Sequence, residues 1–203
     1  MPTTAFGPVR ITYDERVLEP RPWTLAQSDW VAELPPGPML EIGCGAGQIG
    51  LAAASLTGSP LVQVDRSAHA IAMATANAAA AGLAGTVTQR HGDPGEALRE
   101  DERFAIIIAD PPYIPTDGVE RFPDDPTSAI DGGTDGMELV RHFLTVAARH
   151  LSPGGAIVLQ LGGSGQVDEV ERWLQAHEAP ALVVRARRVL AADRALALLR
   201  APA

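Results

Sequence analysis

The architecture of this chain is set by a short glycine-rich stretch, Glu41-Ile42-Gly43-Cys44-Gly45-Ala46-Gly47. The largely apolar residues 38–42 are typical of a buried strand, and a helix is predicted to follow over residues 47–57. Glycines at such a junction let the backbone turn sharply and let a ligand approach the main chain closely. The stretch therefore predicts a strand, a tight turn and a helix, which form the first unit of an alternating fold.

Apolar runs and helical patterns continue to alternate on the C-terminal side of this stretch. Further strands are predicted near residues 60–64, 85–90, 104–109 and 156–161, with a final pair near 181–189 and 195–200. Helices are predicted near residues 67–81 with Ser67 as the cap, 136–151 with Thr134 or Asp135 as the cap, and 166–177, with a helical turn near 95–100. The short turn between the last two strands makes them antiparallel. This order predicts an α/β fold, a doubly wound Rossmann-like sheet of seven strands with an antiparallel edge hairpin.

The N-terminal residues are expected to form a small unit of their own. Alternation from Val9 to Leu18 suggests a hairpin that turns around Tyr13-Asp14-Glu15. Thr24 is predicted to cap a helix that extends to about Leu34. We therefore expect residues 1–35 to pack as a hairpin and a helix on a larger domain of residues 36–203.

Composition limits the classes of function. The chain has 203 residues, 46% hydrophobic residues and a net charge of −9, which disfavours nucleic acid as an unaided partner. A basic cluster at Arg185, Arg187 and Arg188 could locally offset this charge, although a solvated strand edge explains it better. One cysteine excludes an internal disulfide, and no run reaches the length of a membrane span or has the pattern of a leader. We expect a cytoplasmic protein with no membrane partner.

Acidic residues follow the second and third predicted strands. Asp65 lies 22 residues after Gly43, the spacing at which a carboxylate accepts hydrogen bonds from ribose hydroxyls. Position 48 is Gln where the dinucleotide pattern has its third glycine, so a dinucleotide is disfavoured. The negative charge of Glu41 would repel a pyrophosphate but suits a sulfonium and an ammonium group. The pattern favours S-adenosyl-L-methionine as the cofactor, and no metal is predicted because the five histidines lack ligand spacing.

A second candidate site follows the fourth predicted strand, at Asp110-Pro111-Pro112-Tyr113. Ligands of open α/β sheets bind at this end of a strand. Prolines donate no main-chain hydrogen bond, but their carbonyls accept one, and the aspartate is a further acceptor. These acceptors, with the flat tyrosine ring, could hold a planar NH2 group while its nitrogen attacks an electrophile.

Several segments, in order, make the chain resemble the HemK-type release-factor glutamine N-methyltransferases, a family that uses S-adenosylmethionine. The segments that carry the resemblance are Val17-Leu-Glu-Pro-Arg-Pro-Trp-Thr24, Glu41 to Gly47, Ile49-Gly-Leu-Ala52, Asp65, Ala76-Asn-Ala-Ala-Ala-Ala-Gly-Leu83, Asp110-Pro-Pro-Tyr-Ile-Pro115 and Asp125-Pro-Thr-Ser-Ala-Ile-Asp-Gly-Gly-Thr-Asp-Gly136. The last is similar to the family pattern Glu-Pro-x-x-Ala-Leu-x-Gly-Gly-x-Asp-Gly without a gap. The resemblance covers roughly residues 9 to 200.

The resemblance implies roles for individual residues. Gly43 to Gly47 would hold the methionine part of the cofactor, Asp65 its ribose, and Asp93 with Pro94 would border the adenine. The implied cofactor contacts are Glu41, Gly43, Cys44, Gly45, Ala46, Gly47, Asp65, Arg66, Asp93, Pro94 and Asp110. The implied catalytic residues are Asp110, Pro111, Pro112 and Tyr113, which would hold the substrate amide beside the methyl group.

Departures from the family pattern leave the substrate open. Asp110 replaces the family Asn, Trp23 replaces a Glu, and Gln160 stands where a Glu is common. Family members usually carry an N-terminal helical domain that helps to seat the release factor, whereas this sequence starts at the predicted hairpin. A protein glutamine, such as that of a peptide-chain release factor, is the expected substrate. The alternatives are a small-molecule amine or amide, an exocyclic amine of RNA or DNA, and cofactor binding without catalysis.

Overall fold

The computed structural model describes residues 1–177 and 181–202. The strands are β1 Thr3–Phe6, β2 Val9–Thr12, β3 Met39–Ile42, β4 Leu61–Asp65, β5 Val87–His91, β6 Phe104–Ala109, β7 Leu151–Leu161, β8 Val183–Ala191 and β9 Arg194–Arg200. The helices are α1 Leu25–Ala32, α2 Gln48–Thr57, α3 Ala68–Ala80, α4 Pro94–Ala97, α5 Thr127–Ile130, α6 Glu138–His150 and α7 Ser164–Ala176. No helix in this described part of the chain is long and apolar enough to cross a membrane.

Seven strands form the central sheet in the order β5-β4-β3-β6-β7-β9-β8. Strands β3 to β7 pair in parallel, and β9 is antiparallel to both β7 and β8. The predicted doubly wound sheet with an antiparallel edge hairpin is confirmed. Since β3 and β6 lie side by side, the order of the sheet reverses between them, which is where open α/β folds bind ligands.

Both faces of the sheet are buried, as parallel strands with helices on both sides require. On β6, Ile106 and Ile108 pack into the core that includes α2. The alternate residues Ile107 and Ala109 pack into the core that includes α6. Because β6 is held in the core along its length, the residue that follows it, Asp110, lies at the carboxyl edge of the sheet.

The N-terminal hairpin differs from its prediction. Strands β1 and β2 pair Thr3 with Thr12, and the chain turns at Gly7, which has φ +53°, instead of around residue 14. The predicted turn residue Asp14 is buried and bonds to His69 Nε2 at 2.9 Å. Asp14 also begins a turn, since Val17 N donates to its carbonyl oxygen at 3.2 Å, so a local turn and a long-range contact both use this acid.

Two helix caps also differ from their predictions, whereas a third is confirmed. Helix α1 begins at Leu25 without a side-chain cap, because the Thr24 hydroxyl donates to the Arg21 carbonyl at 2.8 Å. Helix α6 begins at Glu138 without a side-chain cap, after a turn in which Asp135 Oδ1 accepts a hydrogen bond from Met137 N. The predicted cap of α3 is confirmed, since the Ser67 side chain accepts a hydrogen bond from Ala70 N.

Candidate functional site

The carboxyl ends of β3, β4 and β6 surround a cavity of about 420 Å³. Glycines and carboxylates that follow these strands line it, together with residues of α6 and of the N-terminal segment. Its position matches the switch point at which the sheet order reverses. Several of the residues singled out in the sequence line this one cavity.

The glycine loop after β3 is fastened to β4. Gly43 N donates to the Val64 carbonyl at 2.8 Å, and Gly45 N donates to Asp65 Oδ2 at 2.9 Å. The other oxygen of Asp65 accepts from Ser67 N at 2.8 Å. Asp65 therefore positions both the glycine loop and the start of α3, in addition to facing the cavity.

Glu41 lies beneath the loop as a buried carboxylate. It accepts hydrogen bonds from Gly50 N at 2.9 Å and from Gln63 Nε2 at 2.7 Å. Burial raises the pKa of Glu41 to about 7, although the two hydrogen bonds oppose that shift. The network joins β3, β4 and α2 and places one acid at the floor of the cavity.

Asp110 is the second acid with a raised pKa. Burial raises the pKa of its carboxyl to about 7. Within residues 1–177 and 181–202, no donor bonds to the Asp110 carboxylate or to the Pro111 carbonyl oxygen. The Asp110 carboxylate thus faces the cavity without a donor, whereas the unbonded Pro111 carbonyl belongs to a buried residue that does not line the cavity.

The glycine-rich segment of residues 131–136 supports this tetrapeptide from behind. Ile114 N donates to the Ile130 carbonyl at 3.0 Å, and Gly132 N donates to the Ile114 carbonyl at 2.8 Å. A β-carbon at Gly132 would lie 2.7 Å from the Pro112 carbonyl oxygen and 2.9 Å from Tyr113 Cα. Only glycine permits this approach, which explains why the sequence needs it there.

Tyr113 does not line the cavity that Asp110 lines. Its carbonyl accepts from Gln166 Nε2 at 2.8 Å, and its ring lies against Gly162. The ring is half-buried, and burial raises the pKa of its hydroxyl. A stacking role for this ring stays a prediction.

The far side of the cavity is formed by residues after β5 and on α6. Asp93 caps α4 by accepting from Gly95 N at 2.8 Å, and its other oxygen lies 3.4 Å from His142 Nε2. Pro94 and Phe143 line the same region. An apolar ring and a carboxylate here are compatible with the predicted adenine end of the site.

Most of the predicted cofactor residues reach the cavity. Those that line it are Glu41, Gly43, Cys44, Gly45, Asp65, Arg66, Asp93, Pro94 and Asp110, together with the predicted catalytic residue Pro112. The cavity is not lined by Ala46, Gly47, Pro111 or Tyr113. Burial raises the pKa of the Cys44 thiol, which fits a packing role rather than a nucleophile.

Several residues of the site were not predicted from the sequence. Leu139, His142 and Phe143 line the cavity from α6, and their i, i+3, i+4 spacing on one helix face is the signal that could have found them. Gln48 and Ile49 line it from the first turn of α2. Within the described residues, no group of three His, Cys, Asp or Glu side chains could hold a metal ion.

The segment from Asp14 to Leu18 crosses the mouth of the cavity. Arg16, Val17 and Leu18 line it, and Val17 also lines a neighbouring cavity of about 550 Å³. Asp14 anchors the segment by accepting from Arg16 Nη2 at 2.7 Å and bonding to His69. These contacts hold its carboxylate ionised and lower the pKa of Asp14, with the bond to Arg16 as the largest cause.

Comparison with known proteins agrees with this geometry. The family model "Methyltransferase small domain" matches residues 29–121. A release factor glutamine methyltransferase of Geobacter sulfurreducens is 38% identical over 138 residues, which cover 65% of this chain and 47% of the relative. The chain is a relative of the release factor glutamine methyltransferases. The resemblance predicted from the sequence is confirmed.

Two further relatives have similar identities. A release factor glutamine methyltransferase of Gloeobacter violaceus is 32% identical over 174 residues, covering 80% of this chain and 60% of the relative. A ribosomal protein uL3 glutamine methyltransferase of Bradyrhizobium diazoefficiens is 35% identical over 137 residues, covering 64% of this chain and 43% of the relative. The chain spans about half the length of the curated relatives it matches.

Solved structures confirm the fold. The hMettl16 catalytic domain, in complex with an RNA hairpin, has a TM-score of 0.76 at 17% identity, covering 95% of this chain and 74% of that one. The ribosomal protein L11 methylase of Lactobacillus delbrueckii subsp. bulgaricus has a TM-score of 0.65 at 16% identity, covering 92% and 82%. These identities support a shared methyltransferase fold and nothing finer about the substrate.

Proposed function

We propose that this protein is an S-adenosylmethionine-dependent N-methyltransferase that acts on a planar amide nitrogen, in the first instance a protein glutamine side chain. The observation that carries the proposal is the pair of unused acceptors at the end of β6. The Asp110 carboxylate and the Pro111 carbonyl bond to no donor within the described residues. Two acceptors match the two hydrogens of an NH2 group.

The cavity suits the proposed cofactor in shape and in charge. Glu41, Asp65 and Asp110 give it a negative wall, which favours a ligand that carries a sulfonium and an ammonium group. Asp65 would hold the ribose, Asp93 and Pro94 would border the adenine, and the loop of residues 43–47 would hold the methionine part. When bound, the cofactor supplies an electrophilic methyl group.

The residues of the chain would act mainly by positioning. Hydrogen bonds from the substrate NH2 to Asp110 and to the Pro111 carbonyl would fix the nitrogen and raise its electron density. The ionised carboxylate of Asp110 would stabilise the positive charge that develops on that nitrogen. Such orientation of a reacting group can contribute several kcal/mol of the reduction in the barrier, roughly 7–11 kcal/mol at the upper end.

The names of the relatives support a protein glutamine as the substrate. A release factor glutamine methyltransferase is 38% identical to this chain over 138 residues, and a uL3 glutamine methyltransferase is 35% identical over 137 residues. Both the release factor and the ribosomal protein would be partners in the cytoplasm, where we propose that this protein acts. A small-molecule amide stays compatible with the same two acceptors.

An exocyclic amine of RNA is the second candidate, because Asp110 is an acceptor-only group where the family has Asn. Two of the three arginines in the basic cluster of residues 185–188 are already paired. Arg187 bonds to Asp168 at 2.7 Å and Arg188 bonds to Glu33 at 3.0 Å. The net charge of −9 opposes RNA binding as well.

The deciding experiment offers radiolabelled cofactor with three substrates in parallel: a purified release factor, purified uL3 and total RNA. We expect label on a glutamine of one of the two proteins, located by mass spectrometry, and none with the Asp110→Ala variant. Label in RNA alone would favour the second candidate. The absence of label on any protein glutamine, in a preparation that binds S-adenosylhomocysteine, would overturn the glutamine proposal.

A further inference from the structure

Gln27 is a fully buried polar residue of α1. Its Nε2 donates one hydrogen bond to the Ala109 carbonyl at 2.9 Å and another to the Val158 carbonyl at 2.8 Å. Ala109 is the last residue of β6, and Val158 lies on the neighbouring strand β7. One side chain of the N-terminal segment therefore joins the two strands at the point where β6 ends.

The Ala109 carbonyl belongs to the peptide unit that leads into Asp110. Because a peptide unit is planar, the direction of this carbonyl fixes where the N and Cα atoms of Asp110 lie. The Asp110 carboxylate bonds to no donor among residues 1–177 and 181–202, so its position depends on the main chain that carries it. Gln27 holds that main chain, although it does not itself line the cavity.

The helix that carries Gln27 is a firm support. Ser28 Oγ donates to the Ile49 carbonyl of α2 at 2.8 Å, and Trp30 and Val31 are buried in the core that includes α2. A buried helix of this kind moves little, because protein interiors are close-packed. The amide of Gln27 therefore ties the end of β6 to a rigid element.

The other end of the same amide is not satisfied. Gln27 Oε1 is buried and has no hydrogen-bond partner in the part of the chain that the structure describes. An unpaired buried acceptor is unfavourable, and an apolar side chain of similar size would avoid it. Local conflicts of this kind occur at functional sites, which suggests that the two donors of Gln27 serve the site as well as the fold.

We infer that Gln27 is a positioning residue for methyl transfer. By holding the Ala109 carbonyl it sets the place of Asp110, and through Asp110 it sets the place of the substrate nitrogen relative to the methyl group. The inference rests on the proposed function for the reaction, but it applies to any NH2 group from which Asp110 accepts a hydrogen bond. It brings α1 into the machinery of a site whose other residues follow the strands of the sheet.

Steady-state kinetics of Gln27→Met tests this role, since methionine keeps the length of the side chain but donates no hydrogen bond. Gln160→Met is the matched control. Gln160 is also fully buried, and its Oε1 also has no partner among the described residues. Its Nε2 donates to the Leu161 carbonyl at 2.9 Å and the Ala195 carbonyl at 3.4 Å, on β7 and β9, rather than to the end of β6.

We expect kcat of Gln27→Met to fall by about tenfold or more, because a misplacement of about 1 Å can cost about 100-fold in rate. The KM values for the cofactor and the substrate should stay within about threefold, since Gln27 does not line the cavity. Gln160→Met should keep the wild-type kcat. Both variants should lower the midpoint of thermal unfolding by a similar amount, about 2–8 °C, and bind S-adenosylhomocysteine within about twofold of the wild type.

Equal kcat values in Gln27→Met and Gln160→Met, whether retained or reduced, would overturn the inference, because Gln27 would then contribute stability alone. If Gln27→Met does not bind S-adenosylhomocysteine, Gln27→Asn takes its place, since its amide is one methylene too short to reach both carbonyls, and the same comparison decides. Rates are measured with whichever of the release factor, uL3 and RNA takes label from the wild type. Label on RNA alone would therefore overturn the proposed glutamine and leave the comparison to decide the role of Gln27, whereas a wild type that methylates none of the three would overturn both.

Discussion

Asp65 Oδ2 accepts a hydrogen bond from Gly45 N at 2.9 Å, so the carboxylate at the end of β4 holds the glycine loop that follows β3. The same carboxylate bonds to Ser67 N through its other oxygen. A residue expected to bind ribose therefore also shapes the loop before any ligand arrives. Its removal should have two separable consequences, one for the free protein and one for the ligand.

The first prediction concerns Asp65→Ala. The variant should exchange the Gly45 and Ser67 amide hydrogens faster, because both lose their acceptor, and should bind S-adenosylhomocysteine at least about tenfold more weakly, the effect of one to two hydrogen bonds to a charged group. Hydrogen exchange and calorimetry measure the two effects. In Asp65→Asn both effects should be intermediate between those of the wild type and Asp65→Ala, since its amide keeps one acceptor. Unchanged affinity in Asp65→Ala would contradict the cofactor role of this residue.

The second prediction concerns stability as a function of pH. Burial raises the pKa of Asp110 in the folded state to about 7, above its usual value. The resulting stability is fully present below the unfolded pKa and is lost as the pH rises through about 7, because ionisation of a buried acid is unfavourable. Asp110→Asn cannot ionise and should be more stable than the wild type at pH 8, by up to about 4 kcal/mol for a shift of this size.

Thermal unfolding at pH 5 and at pH 8 checks this sign. The advantage of Asp110→Asn should be clearly larger at pH 8 than at pH 5, because the penalty builds up between the unfolded and the folded pKa of Asp110. Asp168→Asn on the exposed side of α7 is the control for a general charge effect, since its carboxylate pairs with Arg187 at the surface. If the gain in stability were equal at both pH values, ionisation of Asp110 would not be its cause.

The third prediction concerns the rate of methyl transfer. If an ionised Asp110 holds the substrate nitrogen, the turnover of the wild type should rise as the pH passes through about 7. The Asp110→Asn variant should lose this rise while retaining turnover on a glutamine, because an amide oxygen still accepts one hydrogen bond. Single-turnover rates give the pH profiles of the wild type and the variant. They are measured between pH 5.5 and 8.5, in steps of about one pH unit around the expected midpoint. An identical rise of turnover with pH in the Asp110→Asn variant would show that another group, such as Glu41, is the one that titrates.

The sequence predicted the strand ends well, because each site acid directly follows an apolar run. The position of a single strand is enough to place Asp65, or Asp110, at the carboxyl edge of the sheet. The sequence did not predict contacts between side chains that lie far apart along the chain. The hairpin was predicted to turn around Asp14 but turns at Gly7, and the bond from Asp14 to His69, 55 residues away, was not predicted. His142 was missed because its place at the cavity depends on how α6 packs on the sheet.

Gly50→Ala is the fourth prediction and tests the network below the cavity. A β-carbon at Gly50 would clash with Glu41 Oε2 and lie 2.9 Å from Leu61 Cδ2. Because both neighbours are buried, α2 must shift, and the loss should be about 1–3 kcal/mol in the free energy of unfolding. Gly165→Ala on α7 is the matched control, since no atom lies within 4 Å of its added β-carbon, and it should be neutral or up to about 1 kcal/mol more stable. Denaturant unfolding of both variants measures the difference, and equal stabilities would show that Gly50 is not confined by Glu41.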